Sequence, residues 1–422
     1  MTLFEELSWR GFISQVTHEE VGKLLEMDRF TLYCGFDPTA DSLHIGSLLP
    51  ILGLVHFQRR GHKPIVLVGG GTGLIGDPSG KVQERQLLTR KQVEANAEGI
   101  RMQLERFLDF HGPSAARLLN NSDWLCDMPL LNFLRDVGKH FSINVMLAKE
   151  SVRGRIEDRE HGMSFTEFSY VLLQAYDFLH LADTQNCRLQ VGGSDQWGNI
   201  VAGMDLIRRV REYTVFGITF PLVTKSDGSK FGKSEGGNIW LDPARTSPYK
   251  FYQFWINQAD ADMPRWLRLF TFLAPDEIAE YERRLVNEPE KRAAQRRLAE
   301  ELTRIVHGES AIENAVRASE AMFGGSLEGL DEATLAEIFS EVPSTEISRD
   351  ELGKNRPLVD VLVEHTVFKS KGEARRLIES GGFYLNNERL DADINTSEGV
   401  ICAGNIAVIR KGKKNYHLLK FV

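Results

Sequence analysis

Cysteine is scarce in this chain: Cys34, Cys126, Cys187 and Cys402 are the only four among 422 residues, and no two form a CxxC pair. That spacing excludes a disulfide framework and a paired-thiolate zinc site, so reduced thiols and no protein-bound metal are expected. Long apolar runs are also lacking. None approaches the roughly 20 residues of a membrane span, and the N-terminal MTLFEELSWRGFISQ has early acids where a secretory leader has a basic region and an apolar stretch. A cytoplasmic protein without a membrane partner is expected. Uniform basic charge is absent too: the formal net charge is -8, which argues against a chain that coats DNA or other nucleic acid nonspecifically. The charge is uneven, however. Residues 356–422 hold 11 Lys+Arg against 8 Asp+Glu, a balance of +3 that leaves -11 for the rest.

What is present suits a soluble globular chain of two or three domains, with 42% hydrophobic and 26% charged residues. TLYCGF at 31–36 reads as a buried strand, residues 43–60 have helical apolar spacing, and KPIVLVGGG is a second strand ending in glycines. A charged helix near 90–111 and the strand-like ARLLNNSDW follow. Strands alternating with helices to about residue 240 predict an α/β fold with a doubly wound parallel sheet, whose ligands sit at the carboxyl ends of the strands. The spacing then predicts a helical domain over 246–324, after a first domain over 1–245. Gly, Pro and acids mark 325–355 as a linker. Residues 356–422 read as two helices, a turn and short strands. No internal repeat is visible.

Two segments combine turn chemistry with polar side chains. In DPTADSLHIGSLLP, His44 and Ser47 stand at the opening of a helix, where free N–H groups and the helix dipole suit a phosphate or ribose. Downstream, KSDGSKFGKSEGG sets Lys230 and Lys233 in a Gly/Ser-rich loop that could close on a polyphosphate. Either segment alone also fits a plain turn or a solvated loop. Between them, Tyr170, Gln174 and Asp177 in FTEFSYVLLQAYDFLH fall at i, i+4 and i+7 on one helical stripe. That stripe is either an exposed face or the wall of a pocket with Tyr33 opposite.

HIGS followed by KFGKS resembles the HIGH and KMSKS signature pair of class I aminoacyl-tRNA synthetases, in the expected order and separation. YCGFDPTADSLHIG, GGGTGLIGDPSGK, SFTEFSYVLLQAYDF, QVGGSDQWGNI and KFGKSEGG together resemble the bacterial tyrosyl-tRNA synthetases, essentially end to end. The resemblance implies a Rossmann-like catalytic domain, ATP and tyrosine as substrates, Mg2+ accompanying the ATP, tRNA(Tyr) as partner, and a homodimer with NFLRDVGKHFS, residues 132–142, near its interface. By the same pattern Tyr33 and Asp177 bind the tyrosine phenol, and Asp77, Tyr170 and Gln174 hold its α-amino group. Gly35, Asp37, Gly193, Asp195 and Gln196 line the adenylate, and Cys34 and Ser47 face the ribose. Thr39 and His44 meet the ATP phosphates, while Lys81, Arg85, Lys230 and Lys233 close over pyrophosphate. SKGEARRLIESGGFYLNN resembles an S4-type RNA-binding module, a small α+β domain, which implies tRNA contact through Lys371, Arg375 and Arg376, joined by Arg410, Lys411, Lys413 and Lys414.

The signatures depart from the family pattern in three places: Ser47 replaces the second histidine of HIGH, and Phe231 and Gly232 replace the Met and first Ser of KMSKS. Serine can still donate a hydrogen bond but carries no charge. Rival readings fit less well. Residues 71–76, GTGLIG, match GxGxxG after a strand, but the acid of a dinucleotide site should lie on a second strand about 20 residues on. Here that stretch reads as helix. GDPSGK has one residue too few for a P-loop, with Val82 where Ser or Thr belongs. Tryptophanyl-tRNA synthetases share the architecture, but the phenol acceptor Asp177 and the long basic C-terminal segment favour tyrosine. A noncatalytic RNA-binding relative would have only Ser47 in its favour.

Overall fold

The computed structural model describes residues 1–79, 87–147, 152–153, 162–228, 231–234, 237–412 and 415–422, without the side chains of 233 and 234. Two compact units are present, one formed by Met1–Thr246 with Phe254–Val306 and the other by Ser247–Gln253 with His307–Val422.

The first unit is built on a six-stranded sheet of β1 (Gln15–Val16), β2 (Thr31–Phe36), β3 (Lys63–Val68), β4 (Arg117–Asn120), β5 (Cys187–Gly193) and β6 (Phe216–Phe220), in the order β1-β6-β5-β2-β3-β4. All neighbours run parallel except the edge strand β1, which is antiparallel to β6. β3 and β6 are nearly continuous apolar runs because a parallel sheet is covered by helices on both faces. The chain winds from β2 through β3 to β4, then returns to lay β5 and β6 on the other side of β2. That reversal opens a crevice beyond the carboxyl ends of β2 and β5, the place where such sheets bind ligands. The expected doubly wound α/β fold is present.

The helix Phe165–Gln185 flanks this crevice. Ser164 and Glu167 form a capping box at its start, and Asn186, in the left-handed conformation at φ 50°, stops it. Its apolar side joins Tyr33, Ile65 and Leu67 of the sheet in one core cluster. The chain after β6 makes a short hairpin of β7 (Lys233–Ser234) and β8 (Gly237–Asn238). Helices Met263–Phe270, Pro275–Asn287 and Ala293–His307 follow.

In the second unit, β9 (Ser344–Ile347), β10 (Phe383–Leu385), β11 (Glu388–Arg389), β12 (Ile406–Lys411) and β13 (Asn415–Phe421) form a sheet ordered β11-β10-β12-β13-β9. Alternation along β12 sends Ile406 and Val408 to one core and Ala407 and Ile409 to the other, so both faces are covered. Residues 325–355, expected to be a linker, instead contribute the helix Glu332–Ile338 and the strand β9, which pairs in parallel with β13. Leu327, Leu330, Leu335, Ile338 and Phe339 are buried there. Their apolar spacing outweighs the Gly, Pro and acid content that suggested a linker. The expected helical domain is likewise divided between the two units after residue 306. No helix among the described residues is long and apolar enough to cross a membrane.

Candidate active site

The crevice of the first unit is a cleft of about 360 Å³. Fourteen residues singled out in the sequence line it together: Tyr33, Cys34, Gly35, Asp37, Thr39, His44 and Ser47 from β2 and the turn after it, then Asp77, Tyr170, Gln174, Asp177, Gly193, Asp195 and Gln196. Lys81, Arg85 and Lys230 lie outside the described residues, and only the backbone of Lys233 is described, in β7.

The closed end is formed by Tyr33 and Asp177, only 1% and 2% exposed. Asp177 accepts from Trp124 Nε1 at Oδ1 and from Asn121 Nδ2 at Oδ2, both at 2.8 Å. Burial pushes its carboxyl up to about 7 against the opposing pull of these two hydrogen bonds. Among the described residues the buried hydroxyl of Tyr33 has no hydrogen-bond partner, nor does Oε1 of Gln190, which is in register with it on β5. Buried polar groups are ordinarily paired, so an orphaned hydroxyl and an orphaned amide oxygen in a cleft with a buried carboxyl fit a ligand carrying its own polar end. The stripe at 170, 174 and 177 is therefore a pocket wall, not an exposed face.

Midway along the cleft, a second polar cluster surrounds Asp77. Gln196 Nε2 donates to Asp77 Oδ2 at 2.7 Å, Ser79 N donates to Asp77 Oδ1 at 2.9 Å, and Gln174 Nε2 donates to Gln196 Oε1 at 3.2 Å. Asn199 Nδ2 lies 3.1 Å from Gln174 Oε1. Gln196, expected at the adenylate, is thus bound into the set around Asp77. The hydroxyl of Tyr170 donates to Asp37 Oδ2 at 2.9 Å.

At the open end, His44 caps the single turn Ile45–Ser47, with Nδ1 accepting from Gly46 N at 3.0 Å. That bond leaves the neutral imidazole its proton on Nε2. Ser47 precedes the helix Leu48–Arg59 and makes no capping bond with its side chain. Burial, and then Asp195, push the Cys34 thiol up to about 12, so it stands there as a neutral group and not as a nucleophile.

The two departures in the lysine loop have physical causes. Phe231 stacks on Phe270 with ring centroids 5.4 Å apart and meets Trp266 edge-on at 5.3 Å, so an aromatic ring fills an aromatic cage. Gly232 has φ +88° and packs on Ile45, where glycine is favoured. The rival GxGxxG reading finds no support: the glycines lead into the turn Thr72–Leu74, and the position about 20 residues on lies in the helix Arg90–Leu104.

Of the basic residues in the second unit, Arg375 is exposed and Lys371 pairs with Asp360 at 2.8 Å. Arg376 Nε donates to the carbonyl of Gly372. Arg410 Cζ sits over the Tyr384 ring, 3.6 Å from its centroid, and Nε donates to Asn387 Oδ1, while Lys411 donates to the carbonyl of Val367 and sits over Phe368. These last two heads are engaged inside their own unit. Lys413 and Lys414 lie outside the described residues.

Thr72, Asn121, Trp124 and Gln190 were not singled out in the sequence. Thr72, Asn121 and Gln190 come from turns and a strand and line the cleft, while Trp124, in the short helix Ser122–Leu125, reaches it only through Asp177; the fold alone brings them there.

The model of the family described as tRNA synthetases class I (W and Y) matches residues 26–324, and that of the SYY-like C-terminal domain of tyrosine--tRNA ligase matches 334–419. The chain is 54% identical to the tyrosine--tRNA ligase of Roseiflexus castenholzii over 424 residues and to that of Geobacillus stearothermophilus over 426, covering all of each chain in both cases. A C-terminally truncated mitochondrial tyrosyl-tRNA synthetase of Aspergillus nidulans superposes with a TM-score of 0.69 at 32% identity, over 76% of this chain and 94% of that one. The chain therefore belongs to the class I tRNA synthetases, and within them to the tyrosine--tRNA ligases.

Proposed function

We infer that this protein activates L-tyrosine with ATP, giving tyrosyl-adenylate and pyrophosphate, and then transfers the tyrosyl group to the 3′ end of tRNA(Tyr). The observation that carries this reading is the closed end of the cleft, where the buried Asp177 carboxyl stands with the unpartnered Tyr33 hydroxyl. A phenol entering there donates to Asp177 and satisfies Tyr33. An indole offers no hydroxyl, and phenylalanine would leave the buried Tyr33 hydroxyl unpaired and the Asp177 carboxylate without the phenol as a third donor, a penalty that burial makes large.

The tyrosine carboxylate attacks the α-phosphorus of ATP; the new P–O bond forms as the bond to the β-phosphate oxygen breaks and pyrophosphate leaves. No protein nucleophile is required, so catalysis is orientation and charge stabilisation. Asp77, Gln174 and Tyr170 hold the ammonium end. Gly35, Asp37, Gly193, Asp195 and Gln196 line the adenylate, with Cys34 and Ser47 at the ribose. Thr39 and the Nε2 proton of His44 face the phosphates, with Lys81, Arg85, Lys230 and Lys233 from the loops. Magnesium enters as part of the MgATP substrate, held by phosphate oxygens and water. In the second step a terminal ribose hydroxyl of the tRNA attacks the adenylate carbonyl and AMP leaves.

The first unit carries activation and the second binds tRNA, through Lys371, Arg375 and Arg376 together with the basic residues Lys413 and Lys414. The protein acts as a homodimer in the cytoplasm, where charged tRNA is consumed. Leu130, Leu131, Leu134, Ile143 and Val145 are exposed around the 132–142 segment, an apolar surface that a second copy would cover. The deciding experiment is ATP/pyrophosphate exchange with each amino acid in turn. Exchange with tyrosine alone is expected, and exchange driven by tryptophan or by none overturns the reading.

A further inference from the structure

Two carboxylates line the cleft, Asp177 at its closed end and Asp37 beside the Tyr170 hydroxyl, and one hydroxyl links them. Thr72 Oγ1 donates to Asp37 Oδ1 at 2.8 Å and accepts from Asn121 Nδ2 at 3.0 Å, and the same Nδ2 donates to Asp177 Oδ2 at 2.8 Å. A threonine hydroxyl has one proton. Because that proton goes to Asp37, Oγ1 can only accept from Asn121.

This fixes the Asn121 amide. Its Oδ1 accepts from Gly71 N at 2.8 Å and from Thr72 N at 3.4 Å, while Nδ2 faces two acceptors. The flipped amide would set its one oxygen against both the Asp177 carboxyl and Thr72 Oγ1, and its NH2 against the N–H of Gly71. The position of the hydroxyl is itself fixed: Thr72 is 2% exposed, and its backbone is held by Gly76 N donating to its carbonyl at 2.8 Å. Gly69, three residues earlier, leaves room for the contact. A Cβ on Gly69 would stand 2.1 Å from Asp37 Oδ1 and 2.5 Å from Thr72 Oγ1, so any larger residue there would displace the bond.

We propose that Thr72 is a positioning residue whose hydroxyl ties the acceptor of the tyrosine phenol to the Asp37 carboxylate, and so sets amino-acid selectivity. It touches neither reacting atom. The hydroxyl orients Asn121, Asn121 orients Asp177, and Asp177 accepts from the substrate phenol. The same hydroxyl holds Asp37, whose other oxygen accepts from Tyr170. One side chain therefore serves both carboxylates. This role rests on the tyrosine reading of the cleft given above.

The test is Thr72→Val, which keeps the shape and removes the hydroxyl, set beside Thr72→Ser, which keeps the hydroxyl. Pyrophosphate exchange gives kcat/KM for tyrosine and for phenylalanine, and KM for ATP. Thr72→Val should lose roughly tenfold or more of the tyrosine-to-phenylalanine ratio, the scale of one hydrogen bond to a charged group, with a raised KM for ATP. Thr72→Ser should retain the parent ratio. Thr72→Ala removes the hydroxyl without a second methyl and should repeat the loss of ratio if valine disturbs the turn. A parent ratio in Thr72→Val or Thr72→Ala, or a loss in Thr72→Ser as large as in Thr72→Val, overturns the proposal. Absence of tyrosine-driven exchange in the unsubstituted protein would instead overturn the tyrosine reading itself.

Discussion

Gly232 lies against Ile45: a Cβ built on Gly232 would come 3.3 Å from Ile45 Cγ1, and the glycine backbone has φ +88°. The backbone between them is continuous in hydrogen bonds, with Ile239 N donating to Gly232 O at 3.2 Å and Ile45 N to Ile239 O at 3.0 Å. The lysine loop and the HIGS turn are therefore registered on one another. Restoring the serine common in KMSKS by Gly232→Ser should slow adenylate formation and not speed it, by roughly tenfold. The left-handed backbone alone costs a side chain about 1–2 kcal/mol. Pre-steady-state measurement of adenylate formation checks this, and a rate at or above the parent's would show that the loop does not depend on this contact.

On the proposed reading of the cleft, the buried carboxyl of Asp177 should give tyrosine binding a pH dependence. With its pKa pushed up to about 7, the free pocket holds the neutral acid below that pH, and a phenol donor prefers the carboxylate. Affinity for tyrosine should fall as pH drops below 7, approaching tenfold per pH unit, while affinity for phenylalanine stays flat. Trp124→Phe removes a bond that holds the pKa down, so the midpoint should move to higher pH. Asp177→Ala should abolish the dependence and weaken tyrosine by roughly 1.5–3 kcal/mol. Calorimetric titration between pH 5.5 and about 8.5 decides it, and a flat tyrosine profile would place the titrating group elsewhere.

His62 is fully buried, with Nδ1 accepting from Phe30 N at 3.1 Å, and burial lowers its pKa to about 4. The folded state keeps it neutral while the unfolded chain takes up a proton near pH 6.5. Stability from this site is therefore whole above pH 6.5 and is lost as pH falls toward 4, by roughly 3 kcal/mol over the full window. Asp177 works in the opposite direction over much of the same range, so the comparison to make is between the parent and His62→Gln. Urea unfolding at pH 7.5 and at pH 5 should show a smaller acid loss in His62→Gln. Equal losses would mean that His62 does not titrate with unfolding.

Much of this was legible in the sequence because it is local. TLYCGF is β2 residue for residue, and Tyr170, Gln174 and Asp177 shared a stripe because a helix repeats every 3.6 residues. Asn121 and Thr72 were not legible: one follows a short strand and the other opens a turn, and their partnership spans 49 residues and the width of β3 and β4. Residues 325–355 misled for a related reason. Their glycines and acids describe the surface of a segment whose Leu335, Ile338 and Phe339 meet β12 and β13, strands formed by the last residues of the chain. Likewise, Arg410 and Lys411 read as a basic turn, yet each finds an aromatic ring within its own unit.

The division of labour between the units can be tested by truncation, and the fold dictates where to cut. A cut near Ser344 would remove β12 and β13 while leaving Leu335, Ile338 and Phe339 without their partners. Ending the chain at Gly324 avoids this, since the helix Glu309–Ala321 remains and keeps its bond from Gln253 Nε2 to Ser319 Oγ at 2.6 Å. The fragment retains every residue of the cleft. It should fold and catalyse tyrosine-dependent pyrophosphate exchange at near the parent rate. Tyrosine transfer to tRNA should collapse, because the +3 segment is gone and what remains is net negative. Phosphate contacts release counterions, so tRNA affinity of the whole chain should fall steeply with salt, and any residual binding by the fragment should fall with a shallower slope. Arg375→Ala, an exposed residue, should reduce that slope by about 1 in the full chain, whereas Arg410→Ala should lower the stability of the second unit, because it removes a guanidinium seated over Tyr384. Exchange and aminoacylation assays run side by side on the fragment separate the two functions. Full aminoacylation would show that the second unit is dispensable for tRNA, and lost exchange would show that activation depends on residues beyond 324.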